Sequence, residues 1–241
     1  IPYSRQNINI FDVVSVLKAT THQLITQGPI GDIFEKDICK FTGSKYCICS
    51  NSATSSLILA YKALGLKNND FIWTTPITFV ATANTALQLG AEIDFVDINA
   101  DTLNICPQFL EDKLRVARSS NKLPDILTVV HFAGSPCDMD SIHSLSQKYG
   151  FKVIEDASHA LGATYNKVPI GGDNRSTACI FSFHPVKMIT TGEGGALILE
   201  CEEMFERAKR VRSHGINYLD NNHNIKKDLE AGNALSKCFE K

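Results

Sequence analysis

No stretch of the sequence is apolar for long enough to cross a bilayer, and no Lys/Arg block interrupts its even scatter of charge. The first absence argues against a membrane span. The second, with a formal net charge of −2, leaves no basic field to gather a nucleic-acid backbone, so nucleic acid is not an expected partner. The N-terminal residues lack the charged-then-apolar layout of a secretory signal, and a cytoplasmic protein is expected. Among the cysteines no two stand as Cys-x-x-Cys, which disfavours a zinc site. Several lie instead in apolar runs such as Tyr46-Cys47-Ile48-Cys49 and Ala178-Cys179-Ile180, where a free thiol acts as a small hydrophobe in a reducing compartment. Neither Gly-x-x-x-x-Gly-Lys-Ser/Thr nor a Gly-x-Gly-x-x-Gly at a strand–helix junction occurs, so triphosphate and dinucleotide cradles lack their usual residues. Internal repeats and low-complexity segments are absent too.

What is present is a chain of 241 residues, 44% apolar, which is enough to bury a full core. Short β-branched or apolar runs at 45–50, 71–75, 93–98, 126–132, 152–155, 177–183 and 195–199 predict strands. Helical spacing at 53–64, 80–89, 107–118, 139–149 and 201–213 predicts helices between and after them. Two more helices, at 8–23 and 30–41, precede the first strand and meet at the turn Thr26-Gln27-Gly28-Pro29. Such alternation predicts an α/β fold, a mainly parallel sheet covered on both faces with its ligands beyond the C-terminal strand ends. After Gly215 the chain turns polar and Asn-rich and runs fewer than thirty residues further, too few for a second domain.

Four segments could carry chemistry. Asn51-Ser52-Ala53-Thr54-Ser55 falls where a strand ends and a helix begins, so free N–H groups, the helix dipole and hydroxyls converge as a phosphate would require. An ordinary serine N-cap explains the same residues. Val153-Ile154-Glu155-Asp156-Ala157-Ser158-His159 ends an apolar strand on two acids, and a buried carboxylate needs a cation or strong donor. A protonated pyridine nitrogen would serve; a local helix cap at Asp156 and a half-buried polar His159 are the plainer reading. Phe181-Ser182-Phe183-His184-Pro185-Val186-Lys187, followed by a Gly-rich turn, sets a lysine just past a buried strand, where desolvation lowers an amine pKa toward nucleophilic use. Most lysines are simply solvated. Finally, Phe79 in Thr75-Pro76-Ile77-Thr78-Phe79-Val80-Ala81 could stack on a planar cofactor, although such a ring is more often core. Phosphate cradle, buried acid, aromatic plate and activated lysine are together the four parts that an aldehyde cofactor with a ring nitrogen needs.

These segments, with Thr26-Gln27-Gly28, Thr74-Thr75-Pro76-Ile77-Thr78-Phe79-Val80-Ala81-Thr82-Ala83-Asn84, Ser158-His159-Ala160-Leu161-Gly162 and Arg212-Ser213-His214-Gly215, resemble the DegT/DnrJ/EryC1/StrS family of nucleotide-sugar aminotransferases. The resemblance runs from Tyr3 to about Gly215. It implies an aspartate-aminotransferase-like large domain (fold type I) over residues 1–215 with a seven-stranded, mainly parallel sheet. The C-terminal small domain is then expected to be missing, with 216–241 a divergent or truncated tail. It also implies pyridoxal 5'-phosphate as cofactor, a homodimer, and transamination at C4 of a UDP-linked 4-keto-6-deoxy-N-acetyl sugar by L-glutamate, as in pseudaminic acid biosynthesis. By resemblance, Lys187 is the Schiff-base lysine and proton carrier, and Asp156 faces the pyridine nitrogen. Ser52, Ala53, Thr54 and Ser182 hold the phosphate region, Phe79 stacks on the ring, and His159 lies near the phenolic oxygen. Tyr3 and the segment Gln23, Leu24, Ile25 and Thr26 match positions on the sugar-nucleotide side. Other readings stay open: another nucleotide-sugar aminotransferase; a sugar 3-dehydratase, against which Lys187 argues because such relatives carry histidine there; and an inactive cofactor- or sugar-binding paralogue.

Overall fold

A computed structural model describes residues 4–215 of the chain. The expectations for Tyr3 and for the tail 216–241 lie outside the described residues. Seven strands form the main sheet: β1 (Tyr46–Ser50), β2 (Phe71–Thr74), β3 (Glu92–Phe95), β4 (Ile126–Val130), β5 (Lys152–Asp156), β8 (Ala178–Ser182) and β9 (Gly195–Leu199). Two short strands, β6 (Thr164–Tyr165) and β7 (Val168–Pro169), make a separate hairpin. The order across the sheet is β1-β9-β8-β5-β4-β2-β3. Only β9 runs antiparallel to its neighbours; every other pairing is parallel. The mainly parallel, seven-stranded expectation is met.

The inner strands read as nearly unbroken apolar runs because both faces are covered, whereas the edge strand β3, Glu-Ile-Asp-Phe, is mostly exposed. Residues alternate between the two sides with the pleat. Ile48, Ile72, Ile154, Ile180 and Leu197 share one core with helices α3 (Ala53–Ala63), α4 (Ala81–Gln88) and α7 (Glu202–Arg212). Their neighbours Trp73, Leu127, Val129 and Val153 pack on the other side against α5 (Pro107–Ser119) and α6 (Met139–Tyr149). On that second side Cys47, Cys179, Phe181 and Ile198 also meet Ile38 of α2 (Pro29–Thr42). The N-terminal α1 (Ile10–Thr20) buries none of its residues, although Asn9 and Asp12 close a full capping box at its start.

Arg212 has a structural task. Its guanidinium meets Glu35 Oε1 at 2.6 Å, and the same oxygen accepts the Cys49 N–H at 2.8 Å, so α7, α2 and β1 are tied through one carboxylate. β9 in turn presses on the start of α3. Gly195 pairs in register with Ser50 and Ser182, and a Cβ there would collide with the backbone of Ser52 and Ala53. Gly195→Ala is therefore expected to lower unfolding stability by about 1–3 kcal/mol through overpacking. Urea denaturation measures it, and an unchanged midpoint would mean that the α3 start can move away from β9 freely.

Candidate active site

The carboxyl ends of β1, β2, β4, β5 and β8 open into a cavity of about 600 Å³, the size of a cofactor or drug-like ligand site. Of the residues singled out in the sequence, Ser52, Ala53, Thr54, Phe79, Asp156, His159, Ser182 and Lys187 all line it. Each arrives there for a local reason. Ser52 N-caps α3, its hydroxyl accepting the Ser55 N–H at 3.1 Å. The ordinary cap explanation thus holds, yet the N–H groups of Ala53 and Thr54 find no acceptor among the described residues. They stay free at the positive end of the helix dipole.

Asp156 is the last residue of β5 and is buried. Its Oδ1 accepts both the N–H and the hydroxyl of Ser158, at 3.2 and 2.6 Å, and its Oδ2 accepts the Thr82 hydroxyl at 2.8 Å. The Ser158 pair is the local turn that sequence alone suggests. The Thr82 bond is long-range and draws the acid toward α4. Lys187 sits half-buried in the loop after β8, its Nζ 2.6 Å from His159 Nε2. Burial pushes the amine below its ordinary pKa, with the Asp156 charge pulling the other way. His159 is lowered as well, by burial first and then by the Lys187 charge, again against Asp156. Phe79 is 74% exposed at the rim, so its ring is not a core residue and one wall of the cavity is aromatic and accessible.

The substrate-side segment behaves differently. Leu24 and Ile25 line a separate cavity of about 400 Å³ beside Arg212 and Ser213, while Gln23 and Thr26 line neither cavity. All four side chains are exposed. Several residues of the Lys187 cavity were not singled out from the sequence. His131, just past β4, lines it and points Nε2 at Glu155 Oε2, 2.6 Å away. Its Nδ1 accepts the Cys137 N–H at 3.1 Å, which places the ring proton on the Glu155 side. Glu155 also takes a hydrogen bond from Ser176. Thr78 and Ser158 line the cavity too. The rule that ligands sit past strand ends would have pointed to His131.

The model of the DegT/DnrJ/EryC1/StrS aminotransferase family matches residues 7–235. The chain belongs to this family. It is 45% identical over 214 residues to the UDP-4-amino-4,6-dideoxy-N-acetyl-beta-L-altrosamine transaminase of Campylobacter jejuni, a match covering 89% of this chain and 55% of that protein. Among solved members, Helicobacter pylori PseC, an aminotransferase involved in the biosynthesis of pseudoaminic acid, has a TM-score of 0.84 at 33% identity. That match covers 98% of this chain and 65% of PseC. Spr1654 from Streptococcus pneumoniae, solved in a PLP-form, has a TM-score of 0.80 at 27% identity, over 89% of this chain and 58% of its own. The chain spans about half the length of the curated DegT/DnrJ/EryC1/StrS relatives it matches.

The residues present fit pyridoxal phosphate. Free N–H groups at a helix start suit its phosphate, a buried carboxylate suits its ring nitrogen, and a desolvated amine suits its aldehyde, all on one cavity. Among the described residues no helix is long and apolar enough to cross a membrane.

Proposed function

We propose that this chain carries the catalytic half of a pyridoxal-phosphate-dependent transaminase that moves an amino group from L-glutamate to C4 of a UDP-linked 4-keto-6-deoxy-N-acetyl sugar. The observation that carries the reading is the convergence of Lys187, Asp156, His159 and the free α3 N–H groups on one cavity. The sugar is supported by the 45% identity to the C. jejuni altrosamine transaminase. Pyridoxal phosphate, when bound, supplies an aldehyde that condenses with amines and a ring that takes up the electron pair released at the α-carbon.

The chain's residues do the rest. Ala53 and Thr54 N–H groups, with Ser52 and Ser182, would hold the phosphate at the α3 dipole. With the cofactor bound, Asp156 would hold a proton on its ring nitrogen, and Phe79 and His159 would contact the ring from the same cavity. Lys187, whose amine burial holds below its ordinary pKa, would supply the nucleophilic amine and would hold and move a proton at Nζ. Domain division at Gly215, a cytoplasmic location and a homodimer belong to the same proposal. Free cysteines among the described residues support a reducing compartment. The exposed Ile10, Phe11, Val16 and Leu17 of α1 support association with another apolar surface.

The test is spectroscopic and then chemical. Titrating the protein with pyridoxal phosphate is expected to give a visible band of covalently held cofactor that L-glutamate discharges. A panel of UDP- and dTDP-linked 4-keto sugars should then restore it, UDP sugars first. A band indifferent to every amine donor would make the chain a binder and not a transaminase.

A further inference from the structure

Two threonines connect the aromatic rim of the cavity to its acid. Thr78 lines the cavity, and Thr82, four residues on and fully buried, lies in the first turn of α4. Thr82 Oγ1 lies 2.8 Å from Asp156 Oδ2 and 2.7 Å from Thr78 Oγ1. A hydroxyl has one proton to give and two lone pairs. An aspartate carboxylate has none to give, so the Thr82 proton goes to Asp156. Thr82 can then meet Thr78 only as an acceptor, and the Thr78 proton goes to Thr82. The charge at the end of the chain thus sets the direction of both bonds, and Thr78 presents its remaining lone pairs as an acceptor.

The backbone fastens this chain at two more points. The Thr82 N–H donates to the Phe79 carbonyl at 3.1 Å, so the relay rides on the turn that holds Phe79. From below, the buried Tyr61 hydroxyl donates to the Thr82 carbonyl at 3.2 Å. Ser158 fixes the other carboxylate oxygen from two residues away, so among the described residues the Thr82 bond alone ties the Asp156 carboxylate to a distant element.

We propose that Thr78 and Thr82 form a one-way hydroxyl relay that positions Asp156 against the cofactor ring nitrogen and couples that acid to the loop carrying Phe79. The proposal rests on the cofactor reading above and makes Thr82 a positioning residue. Its test follows the ring nitrogen of ¹⁵N-labelled pyridoxal phosphate over pH in the 241-residue protein and in Thr82→Val, Thr82→Ser, Thr78→Val and the double valine variant. Thr82→Val is expected to shift ring-nitrogen protonation to lower pH and to weaken cofactor binding roughly 10- to 100-fold, the range for a lost hydrogen bond to a charged group. Thr82→Ser keeps the hydroxyl and should recover most of both. Thr78→Val should shift the nitrogen in the same direction by less, and should add nothing in the Thr82→Val background, since coupled residues are non-additive.

Thermal unfolding of the cofactor-free variants separates loss of fold from loss of positioning. Should Thr82→Val not fold, Thr78→Val at the half-exposed cavity wall carries the test by itself. An unshifted nitrogen in both valine variants, or effects that simply add, would overturn the relay. A wild-type protein that takes up no pyridoxal phosphate at all would instead overturn the cofactor reading, and the relay's role with it.

Discussion

Replacing Lys187 by alanine is expected to abolish the borohydride-trappable bond to the cofactor and to slow amino transfer by roughly 10²- to 10⁴-fold, the span a positioned proton carrier contributes. Among the described residues it is the only lysine that lines the cavity, so no other amine there can take over. The fold should hardly notice. Lys187 lies half-buried in a loop and, among the described residues, its side chain meets His159 and no ion-pair partner, so stability should change by no more than about 0.5 kcal/mol. The substitution also removes the positive charge that helps to hold His159 below its ordinary pKa. The imidazole should therefore titrate at higher pH in the variant, which a proton NMR titration reads directly. Peptide mass mapping after borohydride treatment locates the covalent bond. A trapped adduct that persists in Lys187→Ala would move the covalent chemistry to another lysine.

Much of this site was legible in the sequence because its parts sit at ends of elements with strong local signals. Asp156 and Ser182 end strands whose apolar runs are buried on both faces, and Ser52 caps a helix directly after such a strand. Residues that meet through sheet register were not legible. His131 finds Glu155, 24 positions on, because β4 and β5 pair Val130 with Asp156, and no pattern in either segment announces that register. Thr82 left a fainter trace, the four-residue spacing from Thr78 that puts two hydroxyls on one face of a helix start. The β6–β7 hairpin escaped notice because two residues per strand have no periodicity, and its turn places Asn166 and Lys167 at φ of 49° and 67°, the second unusual for a lysine. Where strand 93–98 was expected, pairing stops at Phe95 and only Ile98 bridges onward, to Ile105. The side chains of Gln23 to Thr26 are exposed on a stretch that shares no wall with Lys187.

Asp156→Asn is expected to keep the cofactor bound and to cost roughly 10²- to 10³-fold in rate, the scale on which removing one preorganised electrostatic partner acts. The amide has the shape of the carboxylate but not its charge, so nothing holds the proton on the ring nitrogen while electrons move toward it. It also changes the hydrogen bonds. Three donors converge on the two carboxylate oxygens, two from Ser158 and one from Thr82. An asparagine must turn its NH₂ to one side, and facing Thr82 is the less costly choice because that hydroxyl can rotate to accept. The Ser158 side has a backbone N–H that cannot. Asparagine should thus remain folded, with the Thr82 bond reversed and the Thr82 proton freed to turn toward Thr78. Asp156→Ala leaves the donors of Thr82 and Ser158 facing no acceptor, and there a further loss of about 1–3 kcal/mol in stability is expected for a buried unsatisfied group. Steady-state rates with glutamate, the cofactor content of purified protein and urea denaturation separate the two variants. A full rate in Asp156→Asn would remove the acid from the chemistry and leave it as a brace between β5 and α4.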